Sequence, residues 1–295
     1  MKTFLTLALS ILTFVGCDNS AKMAKTPLEV ASMRTMEYKT VKAKDGSEDK
    51  LELHIFEPAG HDSDEKLPAI VMYFGGGWRG GHPRQFYPQA KYFASLNMVV
   101  ISVEYRTFGS NGTTPFDCVE DGKSAIRFVR ENADAMGIDP DRIIAAGGSA
   151  GGHVAACTGV LKEFDNKDEN LQISSIPDAM ILFNPVADTS PKGYGYNQLK
   201  EKFAAISPCD NISKDVPPTL ILHGTADTTV PFENVQRFTK LMLENGNYCQ
   251  LESFDGKGHG FFNSPEFNKA GSQEIFDKTM ELSKIFLLEH GMLIE

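Results

Sequence analysis

No block of consecutive basic residues occurs in the sequence, and the formal net charge is −10. Binding to a phosphate backbone needs clustered positive charge, so nucleic acid is excluded as a partner. No apolar run is long enough to span a bilayer, since the longest at the N-terminus, Phe4 to Val15, falls short of the roughly 20 residues required. Cysteine is sparse, five in 295 residues, and no pair has C-x-x-C spacing, which excludes the close-spaced zinc and redox motifs. There is a single tryptophan, and there is no internal repeat or low-complexity segment. What is present is an ordinary globular composition, 41% apolar, in a length that fits one large domain or two small ones.

The N-terminus reads separately. Met1-Lys2-Thr3 is a short positive region and Phe4 to Val15 the apolar core of a secretory signal. Thr13-Phe14-Val15-Gly16-Cys17 resembles a bacterial lipoprotein signal, with Phe14 where leucine is usual. Lipidation of Cys17 is the expectation; an ordinary cleaved signal with a coincidental cysteine is the alternative. The organisation expected is a signal over 1–16, a polar tether over 17–27, and one domain over 28–295. The protein is then exported and lies at the periplasmic or outer membrane of a bacterium, attached only by its lipid. Of the remaining cysteines, Cys118, Cys157, Cys209 and Cys249 can pair in three ways or stay as buried thiols.

Leu51 to Phe56 alternates with period two, as a half-buried strand near an edge does, and Pro58 to Lys66 is a turn-rich break. Continuous apolar runs follow at Ala69 to Phe74, Met98 to Val103, Ile143 to Ala146, Ala179 to Phe183 and Thr219 to Leu222. Runs apolar on both faces indicate parallel strands covered by helices on two sides. Helical spacing appears in Cys118 to Asn132, Val235 to Leu243 and Glu274 to Leu288. The alternation gives an α/β sandwich. Residues 185–218, with glycines, prolines, Tyr194 and Tyr196, are long for a simple connection and read as an insertion covering a site.

The chemistry concentrates in Gly147-Gly148-Ser149-Ala150-Gly151, between an apolar strand and a helical stretch. That is the G-x-S-x-G pattern of a nucleophile elbow, in which small neighbours let strand and helix approach until the serine projects. A serine hydroxyl is a weak nucleophile without a histidine to take its proton and an acid to orient that histidine. Asp227 lies in the loop after strand 219–222, and His259 in a glycine-flanked loop after the strand-like Gln250 to Phe254. Glu233 and Asp255 are the competing acids. His54, His61, His82, His153, His223 and His290 compete as base but lack the order and loop setting of His259.

Ser149, Asp227 and His259, in that order, together with Phe74-Gly75-Gly76-Gly77-Trp78 after the first long apolar strand, resemble the α/β-hydrolase fold. The likeness is to its hormone-sensitive-lipase-like and acetyl-esterase branch, from about residue 45 to the C-terminus. That resemblance implies a mostly parallel central sheet with helices on both faces. It implies backbone oxyanion donors at Gly76, Gly77 and Ala150. Phe74 stands where the branch carries histidine, which leaves the support of that loop unassigned. Glu104-Tyr105-Arg106 resembles the branch's Asp-Tyr-Arg and reads as a solvated or structural charge pair, in preference to a substrate contact; Trp78 lines an acyl pocket or belongs to the core.

The function implied is a serine esterase that hydrolyses short-chain acyl esters, O-acetyl groups on carbohydrate being preferred. It needs no cofactor or metal, and its partner is a small-molecule or oligosaccharide ester. A feruloyl esterase or peptidase of the same fold, or a non-catalytic binding protein on the same scaffold, are the alternatives.

Overall fold

The computed structural model describes residues 28–294. The expected signal, the tether and the lipidation site at Cys17 lie outside the described residues. One eight-stranded sheet organises the chain, in the order β1-β2-β4-β3-β5-β6-β7-β8. The strands are β1 (Arg34–Lys42), β2 (Glu48–Phe56), β3 (Leu67–Tyr73), β4 (Val99–Val103), β5 (Ile138–Gly148), β6 (Ala179–Phe183), β7 (Thr219–Gly224) and β8 (Cys249–Phe254). Strands β3 to β8 pair in parallel, and β2 pairs antiparallel with both β1 and β4. Leu51 to Phe56 thus belongs to the second strand from an edge, with β1 outside it, and it is not half-buried as its alternation suggests: every residue but Glu52 is buried, because both faces are covered.

The central strands are apolar throughout because both faces are covered. In β3, Ala69, Val71 and Tyr73 enter one core, and Ile70 and Met72 the other. The first core is closed by α3 (Pro115–Glu131), α4 (Ala150–Val160) and α6 (Phe232–Glu244), which contribute Val119, Val154 and Phe238. The second is closed by α1 (Tyr87–Ala94) and α7 (Gln273–Glu289), through Phe93 and Phe286. Two single-turn helices, α2 (Phe108–Asn111) and α5 (Tyr196–Leu199), lie in connections. Helix α3 starts cleanly because Thr114 and Asp117 form a capping box ahead of Pro115.

Parallel strands all end on the same side, so the loops after β3, β5, β7 and β8 gather at one edge of the sheet. The insertion 185–218 follows β6 to the same edge. The four cysteines among the described residues are buried free thiols, so the disulfide option is not realised.

Candidate active site

Strand β5 ends at Gly148 and α4 begins at Ala150, leaving Ser149 as the whole turn. Its backbone is held at φ 56° and ψ −120°, a combination a residue with a Cβ adopts only when its surroundings impose it. Three backbone hydrogen bonds impose it here. The Ser149 N–H donates to the Phe183 carbonyl at 3.0 Å, and its own carbonyl accepts from Val186 at 3.2 Å and His153 at 3.0 Å. The glycines answer to space. A Cβ on Gly151 would lie 2.1 Å from the Tyr73 carbonyl oxygen, and one on Gly148 2.4 Å from the Phe262 ring.

The Ser149 hydroxyl is 2.9 Å from His259 Nε2, and His259 Nδ1 is 2.7 Å from Asp227 Oδ2. Oδ1 of Asp227 accepts from the N–H groups of Thr229 (2.8 Å) and Val230 (2.9 Å). Burial opposes ionisation of Asp227, but the hydrogen bond to His259 and those backbone donors outweigh it and hold its pKa below the ordinary value. An ionised carboxylate only accepts, so Nδ1 carries the proton and Nε2 is free to take one from serine. This is the relay that makes a hydroxyl a nucleophile.

Facing it is the loop after β3. Gly76 and Gly77 adopt φ 140° and 63°, and neither N–H meets a protein acceptor among the described residues. The N–H of Ala150, at the first position of α4, has no acceptor within its helix. The Gly75 Cβ position lies 3.3 Å from the Ser149 Cβ, so this loop lies directly against the serine.

The other histidines are placed elsewhere. His54 bonds Tyr87 and Glu104, His61 bonds Glu65, and His82 accepts from the Arg84 N–H. His153 is fully buried and donates to the Ile206 carbonyl, and burial pulls its pKa down to about 4. His290 packs its ring against Phe286 and Tyr248. His223 is the informative case. It donates to the Val230 carbonyl at 3.0 Å, yet its Nε2 is also 3.4 Å from the Asp227 oxygen that His259 uses. Burial lowers its pKa, so it adds no second positive charge beside the acid. Of the competing acids, Asp255 accepts from Thr225 instead.

Asn184 is a residue that sequence reasoning missed. It follows β6 with φ 35°, is fully buried, and accepts the Gly260 N–H on Oδ1 at 3.0 Å. It thereby fixes the residue next to His259. Its local signal is slight, an asparagine directly after the apolar run Ala179 to Phe183, a residue type that tolerates positive φ.

The insertion covers this edge. Tyr194 OH would stand 2.6 Å from a Cβ on Gly77, Gly195 packs on the Trp78 ring, and Trp78 lies between Tyr194 and His153. Trp78 is 1% exposed, so it supports the glycine loop from within the core and does not line an open pocket. Glu104-Tyr105-Arg106 is structural: Arg106 pairs with Asp117, Glu120 and Asp121, and Tyr105 stacks on Phe74 at 4.2 Å and donates to its carbonyl at 2.6 Å. Among the described residues, Glu52, His54 and Glu104 bring possible metal-ligand atoms within 4.8 Å of one another; they share no residue with the serine site.

A mostly parallel sheet with a strained serine at a strand-to-helix turn, a histidine and an acid in relay, and a facing glycine loop have the arrangement of the α/β hydrolases. Comparisons with known proteins give the same class. A family model described as BD-FAE matches residues 53–191, and one for the prolyl oligopeptidase family matches residues 179–277. The apo form of esterase 2 from Thermogutta terrifontis is 42% identical, with a TM-score of 0.82 over 89% of this chain and 96% of that one. Its propionate-bound form is 41% identical, with a TM-score of 0.81 over the same shares. An isoprenylcysteine alpha-carbonyl methylesterase of Arabidopsis thaliana is 26% identical over 79% of this chain. The chain spans 59% of that plant relative's length. The chain belongs to the α/β-hydrolase superfamily, and within it to a family of esterases.

Proposed function

We infer that the protein is a serine carboxylic ester hydrolase acting outside the cytoplasm on short acyl esters, with O-acetyl groups on carbohydrate the preferred substrate. The observation that carries the catalytic reading is the hydrogen-bonded series Ser149, His259, Asp227 beside the open N–H groups of the glycine loop. Ser149 Oγ attacks the ester carbonyl while His259 Nε2 accepts its proton. The oxyanion forms within reach of the N–H groups of Gly76, Gly77 and Ala150. His259 returns the proton to the departing alcohol, and water, activated by the same nitrogen, releases the acid and frees Ser149. Asp227 keeps the imidazole in the tautomer each step needs.

Short acyl groups are supported by Tyr194, whose hydroxyl crowds the glycine loop at Gly77. Propionate and butyrate were bound in the solved Thermogutta esterase. A hydroxylated alcohol part suits the polar, tyrosine-bearing insertion, in which Tyr194 leaves its hydroxyl without a protein partner among the described residues. Export and a lipid at Cys17 fit a substrate met outside the cell. A panel of p-nitrophenyl acetate, butyrate and octanoate, acetylated xylo-oligosaccharides, feruloyl esters and peptide amides tests the reading. Acetate should be released from the sugars, with kcat/KM falling as the acyl chain lengthens. Faster turnover of octanoate overturns the short-acyl reading, and ferulate or amide turnover in place of acetate release selects the feruloyl esterase or peptidase. Turnover of no ester leaves a binding protein. Mass spectrometry of the mature N-terminus, in wild type and Cys17→Ala, tests the anchor.

A further inference from the structure

The reacting groups come from loops far apart in the sheet. The glycine loop follows β3 and the serine follows β5, which are neighbours, but the histidine loop follows β8, the edge strand three positions beyond β5. Something must hold the histidine loop back across the sheet and in register with the oxyanion donors. The side chain at position 74 does not supply this, because Phe74 is apolar and stacked on Tyr105.

We propose that Gln85 and Asn263 are positioning residues that clamp the oxyanion loop to the histidine loop. The Gly75 N–H donates to Gln85 Oε1 at 2.6 Å; Gln85 Nε2 donates to Asn263 Oδ1 at 3.0 Å; Asn263 Nδ2 donates to the Gly260 carbonyl at 2.8 Å. The direction is forced, since reversing the Gln85 amide would set its N–H₂ against the Gly75 donor. Gly260 is the residue after His259, and its N–H is taken by Asn184, so both of its backbone polar groups are fixed. Each link therefore acts on one reacting group through its loop. Gly75 precedes the donors Gly76 and Gly77, and Gly260 follows the base.

Apolar packing repeats the same junction. Gln85 and Phe86 end one 3-10 turn, Pro83–Phe86. Phe86 stacks on Phe262 at 5.8 Å, and Phe262 in turn lies against Phe183 and under Gly148. The turn thus meets the segment 260–263 through a ring pair beside an amide pair. The stack fixes depth without direction; the amides, being directional, fix the rotation of each loop about the serine.

The proposal rests on Ser149 and His259 as the reacting groups, and its test separates the two. Gln85→Met keeps the length and removes both bonds, and Asn263→Ala opens the other side of the clamp. Each should lower kcat for p-nitrophenyl acetate roughly 10- to 100-fold, the cost of a misplacement on the order of 1 Å. KM should stay within about twofold, and the double variant should be no slower than the slower single one, because one broken link already uncouples the loops. Gln85→Glu keeps the acceptor for the Gly75 N–H and should recover part of kcat. Rates of Ser149 labelling by a fluorophosphonate should fall in the same order as kcat. A purely structural role would lower the melting temperature and leave kcat of the folded protein unchanged. Wild-type kcat in the folded variants, losses that multiply in the double variant, or a change confined to KM overturns the clamp. Where Gln85→Met does not fold, Gln85→Glu and Asn263→Asp carry the same test. Failure of the wild-type protein to label at Ser149 overturns the catalytic reading instead.

Discussion

Two of the buried polar clusters among the described residues are built on opposite plans. Beside α3, the ammonium of Lys123 spends its donors on the carbonyls of Leu161 (3.0 Å) and Glu163 (2.6 Å) and on Asp165 (2.7 Å). Arg127 reaches Asp165, Glu169 and the Ile173 carbonyl. These groups tie down the long connection between α4 and β6, and none of their polar atoms is among the buried unpaired ones. Around Ser149 the opposite holds. The serine is strained, and both Asn184 Nδ2 and His223 Nδ1 are buried without a partner among the described residues. A saturated cluster lowers the energy of a fold, whereas one left strained and open keeps groups poised for a reacting partner.

Substitutions should divide along that line. In the strained cluster, Ser149→Ala should lower kcat on the order of 10⁶-fold with folding intact, read by ester hydrolysis and circular dichroism. Retained activity would show that the strain serves nothing. Asp227→Asn should cost about 10⁴-fold, because its amide can donate and so favours the wrong imidazole tautomer; a loss of stability in place of rate would place Asp227 with the structural cluster. Lys123→Met should do the reverse. Specific activity of the folded enzyme should stay near wild type while urea unfolding shows a loss of about 3 kcal/mol, typical when one partner of a buried pair is removed. The smallest effect is in acid. Burial raises the pKa of Asp165, but Lys123 and Arg127 outweigh it, so the folded value lies below the unfolded one. Its contribution is therefore complete above about pH 4, the ordinary aspartate range, and disappears as pH falls through the depressed folded value. Asp165→Asn should be less stable at pH 7 and show a shallower decline in unfolding free energy below pH 4; a decline as steep as wild type would exclude this carboxylate as its source.

The parts legible in sequence are those whose cause is local. Strands β3 and β6 are buried on both faces and are written as unbroken apolar runs, and β4 as one interrupted only by Ser102. The elbow glycines stand within three residues of Ser149, so the pattern and its reason coincide. Strand β1 went unseen because an exposed edge fills its alternation with Arg34, Glu37, Lys39 and Lys42, which read as solvated chain. Helix α1 is eight residues with proline at its start, too short to show a period. The amides of Gln85 and Asn263 meet across 178 residues. Nothing near either residue marks it, since an amide's role depends on what tertiary structure brings opposite. In Glu104-Tyr105-Arg106 the two charges are structural but pair apart, Glu104 with His54 and Arg106 with Asp117, Glu120 and Asp121, partners that the tripeptide itself does not name.

The four free thiols among the described residues also make the molecule its own reporter of opening. They are spread over α3 (Cys118), α4 (Cys157), the insertion (Cys209) and the edge strand β8 (Cys249). Burial keeps each protonated, pushing Cys209 and Cys249 up to about 12, so an alkylating reagent sees a thiol only when its surroundings separate. The order in which the four take up label, followed by peptide mass, is then a map of which parts part first. Cys118 and Cys157, on two of the helices that close the first core, time the uncovering of the sheet, and Cys209 times the lifting of the insertion.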